Sequence, residues 1–404
     1  MGSSTTKRPV ERFEAIIVGG GMVGTTLCAL LAQAGMQVAL VEAQSTPLRL
    51  DGAVSQLPAP RVSALTPVSQ RLLTQLGDWT DMQQLRVTHY RGMQVWDAEG
   101  SGEIAFSADE AGVAVLGHIV ENSVTQAALN RQVIDHPQVT AFFGQPIKAL
   151  QRATGRATSR ADSGDWLILE GGRQLQAPLI VAADGAHSAL REMAGMEVSH
   201  DDMQQDAVVT TVRCDKPHGG IARQAFIDGR PLAFLPLTVD GDERYCSIVW
   251  STTPAHATQL CELSHNALGD VLGEAINDRL GKVVACDKAY RFPLVQRHAR
   301  HYVQPHVALV GDAAHSIHPL AGQGVNLGLM DAAVLAEEVL LAWRRGAPWG
   351  EMMKGFKVLF GSHDPALTLA RNLGMSGMNQ MVPLKRILMR QATGERGRLP
   401  LSCR

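Results

Sequence analysis

Several things are scarce in this chain of 404 residues, and each scarcity removes a class of function. Cysteine occurs six times, at 28, 214, 246, 261, 286 and 403, with no C-x-x-C and no zinc-ligand spacing. That pattern excludes a disulfide scaffold and suits a reducing compartment with free, buried thiols. His315 and His318 form an H-x-x-H, but neither Cys nor carboxylate stands at ligand spacing, so no metal is expected. Net charge is only -2, which leaves no global field to recruit nucleic acid or an anionic membrane. Internal repeats are absent. Long apolar runs are nearly so: 15–35 carries no charge and follows Lys7, Arg8 and Arg12, as a leader or membrane span would. Its glycines break it into a strand and a helix, whereas a span is one continuous helix.

What that run contains organises the chain. Ala15 to Val18 reads as a strand, Met22 to Ala34 as a helix, and Gly19, Gly21 and Gly24 between them fit the G-x-G-x-x-G spacing. The first glycine permits a tight turn, the second lets backbone approach a pyrophosphate, and the third lets helix pack on strand. The helix N-terminus offers N–H groups and a positive dipole end to phosphate. A second strand, Val38 to Val41, ends in Glu42, about 20 residues on, where a carboxylate meets a ribose. The alternative is an ordinary strand–helix turn with a surface Glu42.

Further along, Pro67 to Leu76 and Glu121 to Val133 read as helices and Val139 to Phe143 as a strand. Residues 91–106 read as a strand pair, and 151–165 as an exposed hairpin tip. Strong alternation over Ala207 to Trp250 predicts a second, antiparallel sheet, and helical signals follow from Ala267 to Leu280. The fold class expected is α/β: a dinucleotide-binding domain with a parallel sheet, interrupted by a mostly antiparallel sheet, plus C-terminal helices. The expected boundaries are a mobile tail at 1–12, a discontinuous cofactor domain at 13–85, 117–195 and 290–346, a substrate domain at 86–116 and 196–289, and a helical region at 347–404.

Three segments place polar groups at the ends of apolar strands. Asp184-Gly185-Ala186-His187-Ser188-Ala189-Leu190-Arg191 follows Leu179 to Ala183, with Arg191 carrying a guanidinium suited to phosphate. Gly311-Asp312-Ala313-Ala314-His315 follows Val307 to Val310, and a carboxylate there can hold sugar or ribityl hydroxyls. Each alone is equally well a turn or helix cap. The third, His318 to Gly328, opens a helix running to about Arg345, with glycines that bring backbone N–H groups near a flat ligand.

Together, the glycine turn with Glu42, Arg61, the D-G-x-x-S-x-x-R at 184–191 and the G-D-A-A-H at 311–315 resemble the flavoprotein aromatic hydroxylases of the para-hydroxybenzoate hydroxylase fold. The run His318 to Asp331 fills every fixed position of the H-P-x-A-G-Q-G-x-N-x-G-x-x-D signature of the ubiquinone-biosynthesis hydroxylases. Segments 117–122 and 222–226 look most like the member that hydroxylates a 2-polyprenylphenol at ring C5.

The resemblance implies FAD as resident cofactor, NAD(P)H as transient co-substrate, and O2-dependent hydroxylation of a polyprenylphenol ring. It implies Gly19, Gly21, Met22 and Gly24 at the pyrophosphate, Glu42 at the adenosine ribose, Arg61 along the FAD and Asp312 at ribityl or pyrophosphate groups. Gly322, Gln323, Gly324, Val325 and Asn326 would contact the isoalloxazine, with Pro319 beside it. Asp184 and Arg191 would serve domain integrity and NAD(P)H access. No general base is assigned. Phe234, Pro236 and Trp250 are candidate substrate-wall residues, with ordinary core packing the better reading of each. The expected setting is cytoplasmic, with the basic, apolar segment 384–390 either in peripheral contact with the inner face of the membrane or, at least as well, a solvated helix packed on the core, and with a homo-oligomer or a quinone-synthesis complex as partners. Against the family, about a helix's worth of residues is missing after 350–357. Two other readings stand beside this one: a different flavoenzyme on the same fold, and a non-catalytic member that stabilises a quinone-synthesis complex.

Overall fold

A computed structural model describes residues 10–55, 57–98, 100–153, 164–316, 324–346 and 399–404. Its centre is a six-stranded sheet in the order Val303–Gln304, Val307–Leu309, Ile180–Ala182, Ala15–Val18, Val38–Glu42, Val139–Phe143. All neighbours are parallel except the first pair. Both faces are covered, so the inner strands read as unbroken apolar runs rather than alternating ones. Ala15, Ile16 and Ile17 are wholly buried, and helix Met22–Gln33 packs its Leu27, Cys28 and Leu31 on one face. The chain leaves Ala15–Val18 towards Val38–Glu42 on one side and returns on the other through Ile180–Ala182. The carboxyl end of the first strand is therefore the switch point at which such sheets hold ligands.

The interrupting sheet has nine strands. Its main path is His315–Ser316, Tyr290–Ala299, Val198–Cys214, Asp242–Thr252, Arg230–Val239, Ile221–Ile227, Gly92–Asp97, Glu103–Ser107. One face buries Leu232, Phe234, Ile248 and Trp250 under helices Pro254–Glu262 and His265–Ala275. The other turns Ala222, Ala233 and Leu235 towards Ala64 and Ile119 of a three-stranded sheet, Val62–Leu65, Gly117–Glu121, Val87–Tyr90. These small side chains let the two sheets approach closely.

The boundaries need three corrections. Glu11 and Arg12 are not tail: they pair in parallel with Leu175 and Gln176, extending a separate four-stranded sheet. Tyr290–Ala299 pairs along Val198–Cys214, so it belongs to the substrate sheet although 290–346 was expected on the cofactor side. Val87–Tyr90 pairs with Gly117–Glu121 and so sits with the cofactor domain, which moves that boundary beyond 86. The helix expected over 267–280 is His265–Ala275, ended by Asn277 and Asp278 in left-handed conformations. The C-terminal helical region and the 384–390 segment lie outside the described residues. Within 399–404, Cys403 is buried, and its carbonyl accepts from Arg71 Nε at 2.9 Å.

One buried carboxyl sets a pH dependence. Asp78, between helices Pro67–Leu76 and Trp79–Leu85, is fully buried, and neither carboxyl oxygen has a well-formed hydrogen bond. Burial pushes it up to about 7, with the Gln132 amide and Arg131 pulling it back and Asp81 raising it further. A carboxyl raised on folding costs nothing below about pH 4 and costs progressively more as pH climbs through its folded value. Asp78→Asn should therefore leave stability at pH 4 nearly unchanged and raise it by about 4 kcal/mol at pH 8. Denaturant melts at the two pH values check this; parallel shifts at both would reject it.

Candidate functional site

Four of the sequence-predicted segments converge on the carboxyl edge of the parallel sheet. Gly19 N–H donates to Val41 O at 2.8 Å, Ala183 N–H to Val18 O at 2.7 Å, and Val310 N–H to Ala182 O at 3.0 Å. The glycine turn, Glu42, Asp184 and Asp312 thus follow adjacent strands. The turn itself is sterically obligatory. Gly19 has φ +108°, and a Cβ there would stand 2.3 Å from Ala183 O; at Gly24 it would stand 2.0 Å from Gly19 O. At Gly21 a Cβ would meet nothing within 4 Å, so that glycine faces open space. Helix Met22–Gln33 begins there with neither a side-chain cap nor an acidic first turn, leaving its N–H groups for an anion.

Glu42 accepts from Gly20 N–H at 2.6 Å and Gln44 N–H at 2.7 Å, one bond per carboxylate oxygen, which fixes the carboxylate and leaves lone pairs over. Thr25 Oγ1 and Gln126 Nε2 both donate to Gly20 O, at 3.0 and 2.8 Å. The turn and Glu42 thus form an open cradle with free N–H donors at the carboxyl end of the sheet.

Asp184 accepts from Ser188 Oγ at 2.5 Å and Leu190 N–H at 3.1 Å; burial raises its carboxyl while these bonds lower it. Arg191, 3% exposed, donates to Ala313 O at 3.0 Å and Ala186 O at 3.1 Å. It ties the 184 turn to the 311–315 turn rather than facing outward to a phosphate. Asp312 is exposed on the surface; crowding by protein raises its carboxyl, opposed by His315 and by the Arg61 and Arg297 guanidiniums. Arg61 is exposed and lies over the Phe292 ring, 5.6 Å from its centroid, across to the substrate sheet.

The start of helix Gly324–Arg344 is held in place by Asn326. Its Oδ1 accepts from Thr66 N–H at 3.0 Å and Ser69 Oγ at 2.7 Å, and its Nδ2 donates to Ala64 O at 2.7 Å. Gly324 and Val325 are half-buried beside it. Pro319, Gly322 and Gln323 lie outside the described residues. Gly328 admits the first helix: a Cβ there would be 2.6 Å from Val23 Cγ2.

Asp331, the last fixed position of the 318–331 signature, has a place in the structure that the motif did not specify. It is 1% exposed, and its Oδ2 accepts from Gly311 N–H at 2.8 Å and meets His315 Nε2 at 2.7 Å. Burial alone would lower the His315 imidazole, but the Asp331 charge and hydrogen bond, with Asp312, outweigh it and raise it. A lone charge in an otherwise apolar helix run was the available signal.

Ala64, whose carbonyl anchors Asn326, turns its side chain into a gap between the two sheets, lined also by Tyr90, Met93, Ile119, Gln224 and Leu235. Gln224 is 6% exposed. Burial pushes the Tyr90 phenol up to about 12, so it stays protonated as a donor. The gap is about 10 Å³, room for one water, with the adaptable Met93 side chain among its walls. Phe234, Pro236 and Trp250 do not line it. They occupy the opposite face of the sheet, because side chains alternate along a strand and the sequence pattern does not say which face meets the cofactor.

The chain matches the FAD binding domain family over residues 12–350. It is 36% identical over 410 residues to 3-demethoxyubiquinol 3-hydroxylase of Escherichia coli, covering 96% of this chain and 100% of that one. It is 30% identical to the human ubiquinone biosynthesis monooxygenase COQ6, mitochondrial, covering 93% and 92% of the two chains. The structure superposes on p-nitrophenol 4-monooxygenase PnpA of Pseudomonas putida with TM-score 0.71 at 19% identity, over 96% of this chain and 100% of that one, which is a likeness of fold. With the cradle geometry and these full-length relatives in agreement, the chain belongs to the ubiquinone-biosynthesis group of FAD-dependent hydroxylases and is a flavin monooxygenase.

Proposed function

We propose that the protein hydroxylates the aromatic ring of a prenylated phenol or quinol, using NAD(P)H and O2. The observation that carries this is Asn326. It fixes the start of the long helix against Ala64, whose other side forms the wall of the Tyr90–Gln224 gap, so cofactor end and ring site share one residue. Bound FAD supplies the oxygen activation and the hydride chemistry. The chain supplies the rest. Gly19 to Gly24 and Glu42 hold the adenosine and pyrophosphate end, and Asp312 and Arg61 border the middle. Of the run 322–326 assigned to the reactive ring, Gly324, Val325 and Asn326 open the long helix beside it. Asp184 and Arg191 hold the two turns together. Tyr90 donates a hydrogen bond to the substrate oxygen, which favours the electron-rich form of the ring. The apolar wall of Ala64, Ile119 and Leu235 excludes water.

The prenyl chain draws the enzyme to a bilayer surface, while no helix among the described residues is long and apolar enough to cross one. The segments at 117–122 and 222–226 point to ring C5 of a 2-polyprenylphenol, and the Escherichia coli relative is named for position 3 of a demethoxyubiquinol. Complementation of bacteria lacking each ring hydroxylase, under labelled oxygen and read by mass spectrometry, decides both activity and position. Unlabelled product, or no rescue of any strain, rejects the proposal.

Tyr90→Phe and Gln224→Leu should each raise KM for the phenol about tenfold, equivalent to one lost hydrogen bond. Flavin content should be unchanged. Loss of flavin, or an unmoved KM, would place these side chains elsewhere.

A further inference from the structure

On the face of the three-stranded sheet turned away from the substrate gap lies a second cavity, of about 370 Å³. His89 and His118 stand directly opposite each other on neighbouring antiparallel strands, and Arg91 follows His89 on the same face. Ile119 and Tyr90, the alternate residues, point into the gap on the other side. His118 is 7% exposed, packs edge-on against Trp79 with centroids 4.8 Å apart, and its Nδ1 has no hydrogen-bond partner. Gln83 adds an amide from helix Trp79–Leu85. Among the described residues no carboxylate lines the cavity. Asp109, outside it, pairs with Arg91 at 2.9 Å in an exposed bridge of the kind that contributes little.

Two imidazoles placed opposite each other repel when charged, and such cross-strand pairs are destabilising without a partner. Burial first, and His89 second, accordingly press the His118 imidazole down to about 4. An anion between the rings converts the repulsion into charge-assisted hydrogen bonds, and the Arg91 guanidinium adds the fork that suits phosphate. The same guanidinium opposes a metal ion.

We propose that this cavity binds a phosphate group, free or carried on a small metabolite, at a site separate from the flavin cradle. The test uses FAD-loaded enzyme, so that the pyrophosphate cradle is filled, and titrates it calorimetrically with inorganic phosphate. Saturable binding is expected with Kd near or below about 5 mM, weakened about tenfold or more in Arg91→Gln and His89→Gln, both outward-reaching side chains. His265→Gln, on an exposed helix start, should bind as the parent does. In 13C-histidine spectra, the His118 ring should titrate at higher pH when phosphate is present. Competition by adenosine 2′,5′-bisphosphate would identify a carried phosphate, and its failure to compete a free one. Absence of saturable heat up to 20 mM phosphate overturns the proposal. So does undiminished binding in Arg91→Gln, or displacement of phosphate by Zn2+ bound to the two histidines.

Discussion

Gly24→Ala should yield a protein that purifies almost colourless, with flavin occupancy below about a tenth of the parent. One methyl group placed 2.0 Å from Gly19 O and 3.0 Å from Ala183 Cβ cannot be absorbed by a rotamer change, since the first obstacle is backbone. Helix Met22–Gln33 must therefore move off its strand, and overpacking of this kind costs about 1–3 kcal/mol or more. Gly21→Ala separates sterics from ligand contact. Its Cβ meets no protein atom within 4 Å, so the stability of the flavin-free protein should hardly change while FAD retention falls sharply. Absorbance at 450 nm against protein, with thermal melts of stripped samples, reads both. If Gly21→Ala retains full flavin, the pyrophosphate does not lie against Gly21.

The second large effect belongs to Asp331→Ala. Its removal strips the buried Gly311 N–H of its acceptor and His315 of its counter-charge. Breaking one side of a buried ion pair typically costs about 3–5 kcal/mol. The unfolding midpoint should fall accordingly, and the Gly311–Asp312 turn should loosen its hold on FAD. The pH dependence identifies the cause. His315 is raised on folding, so its protonated form adds stability that is fully present below about pH 6.5 and fades as pH climbs through the folded value. The gap between parent and Asp331→Asn should therefore narrow from pH 6 to pH 9. A gap independent of pH would mean that Asp331 acts only as an acceptor for Gly311.

Much of the cofactor half was legible in the sequence because it rests on short-range rules. The Ala15–Val18 strand, the glycine spacing, the Thr66-Pro67 start and Gly77 stop of helix Pro67–Leu76, and the strand ending in Glu42 are each dictated by a few adjacent residues. The substrate half was legible only as alternation. Period two says that Ala233 and Phe234 face opposite ways, not which of them meets the cofactor, and the bulky aromatic proved to be core while the small residue lines the gap. Arg191 left two readings open for a related reason. A guanidinium after a strand-end turn suits a phosphate, but it suits two backbone carbonyls as well, and only the fold brings Ala313 O within reach. Asp331 stood in the signature, but its partners did not show, because Gly311 and His315 lie 20 and 16 residues away in the chain.

The Asn326 clasp fixes when in the life of the polypeptide the cradle can close. Asn326 reaches Thr66 across 260 residues, and strand Ile180–Ala182 must pair with Val307–Leu309 before the 311 turn exists. Closing loops of that length has an entropic cost before any contact stabilises them, which makes their formation late and slow. A ribosome-bound chain that has not yet exposed Asn326 can form the glycine turn but cannot grip a flavin. Holoenzyme assembly accordingly comes late in folding, and cells short of FAD should accumulate protein whose last-formed contacts are the first exposed to proteolysis.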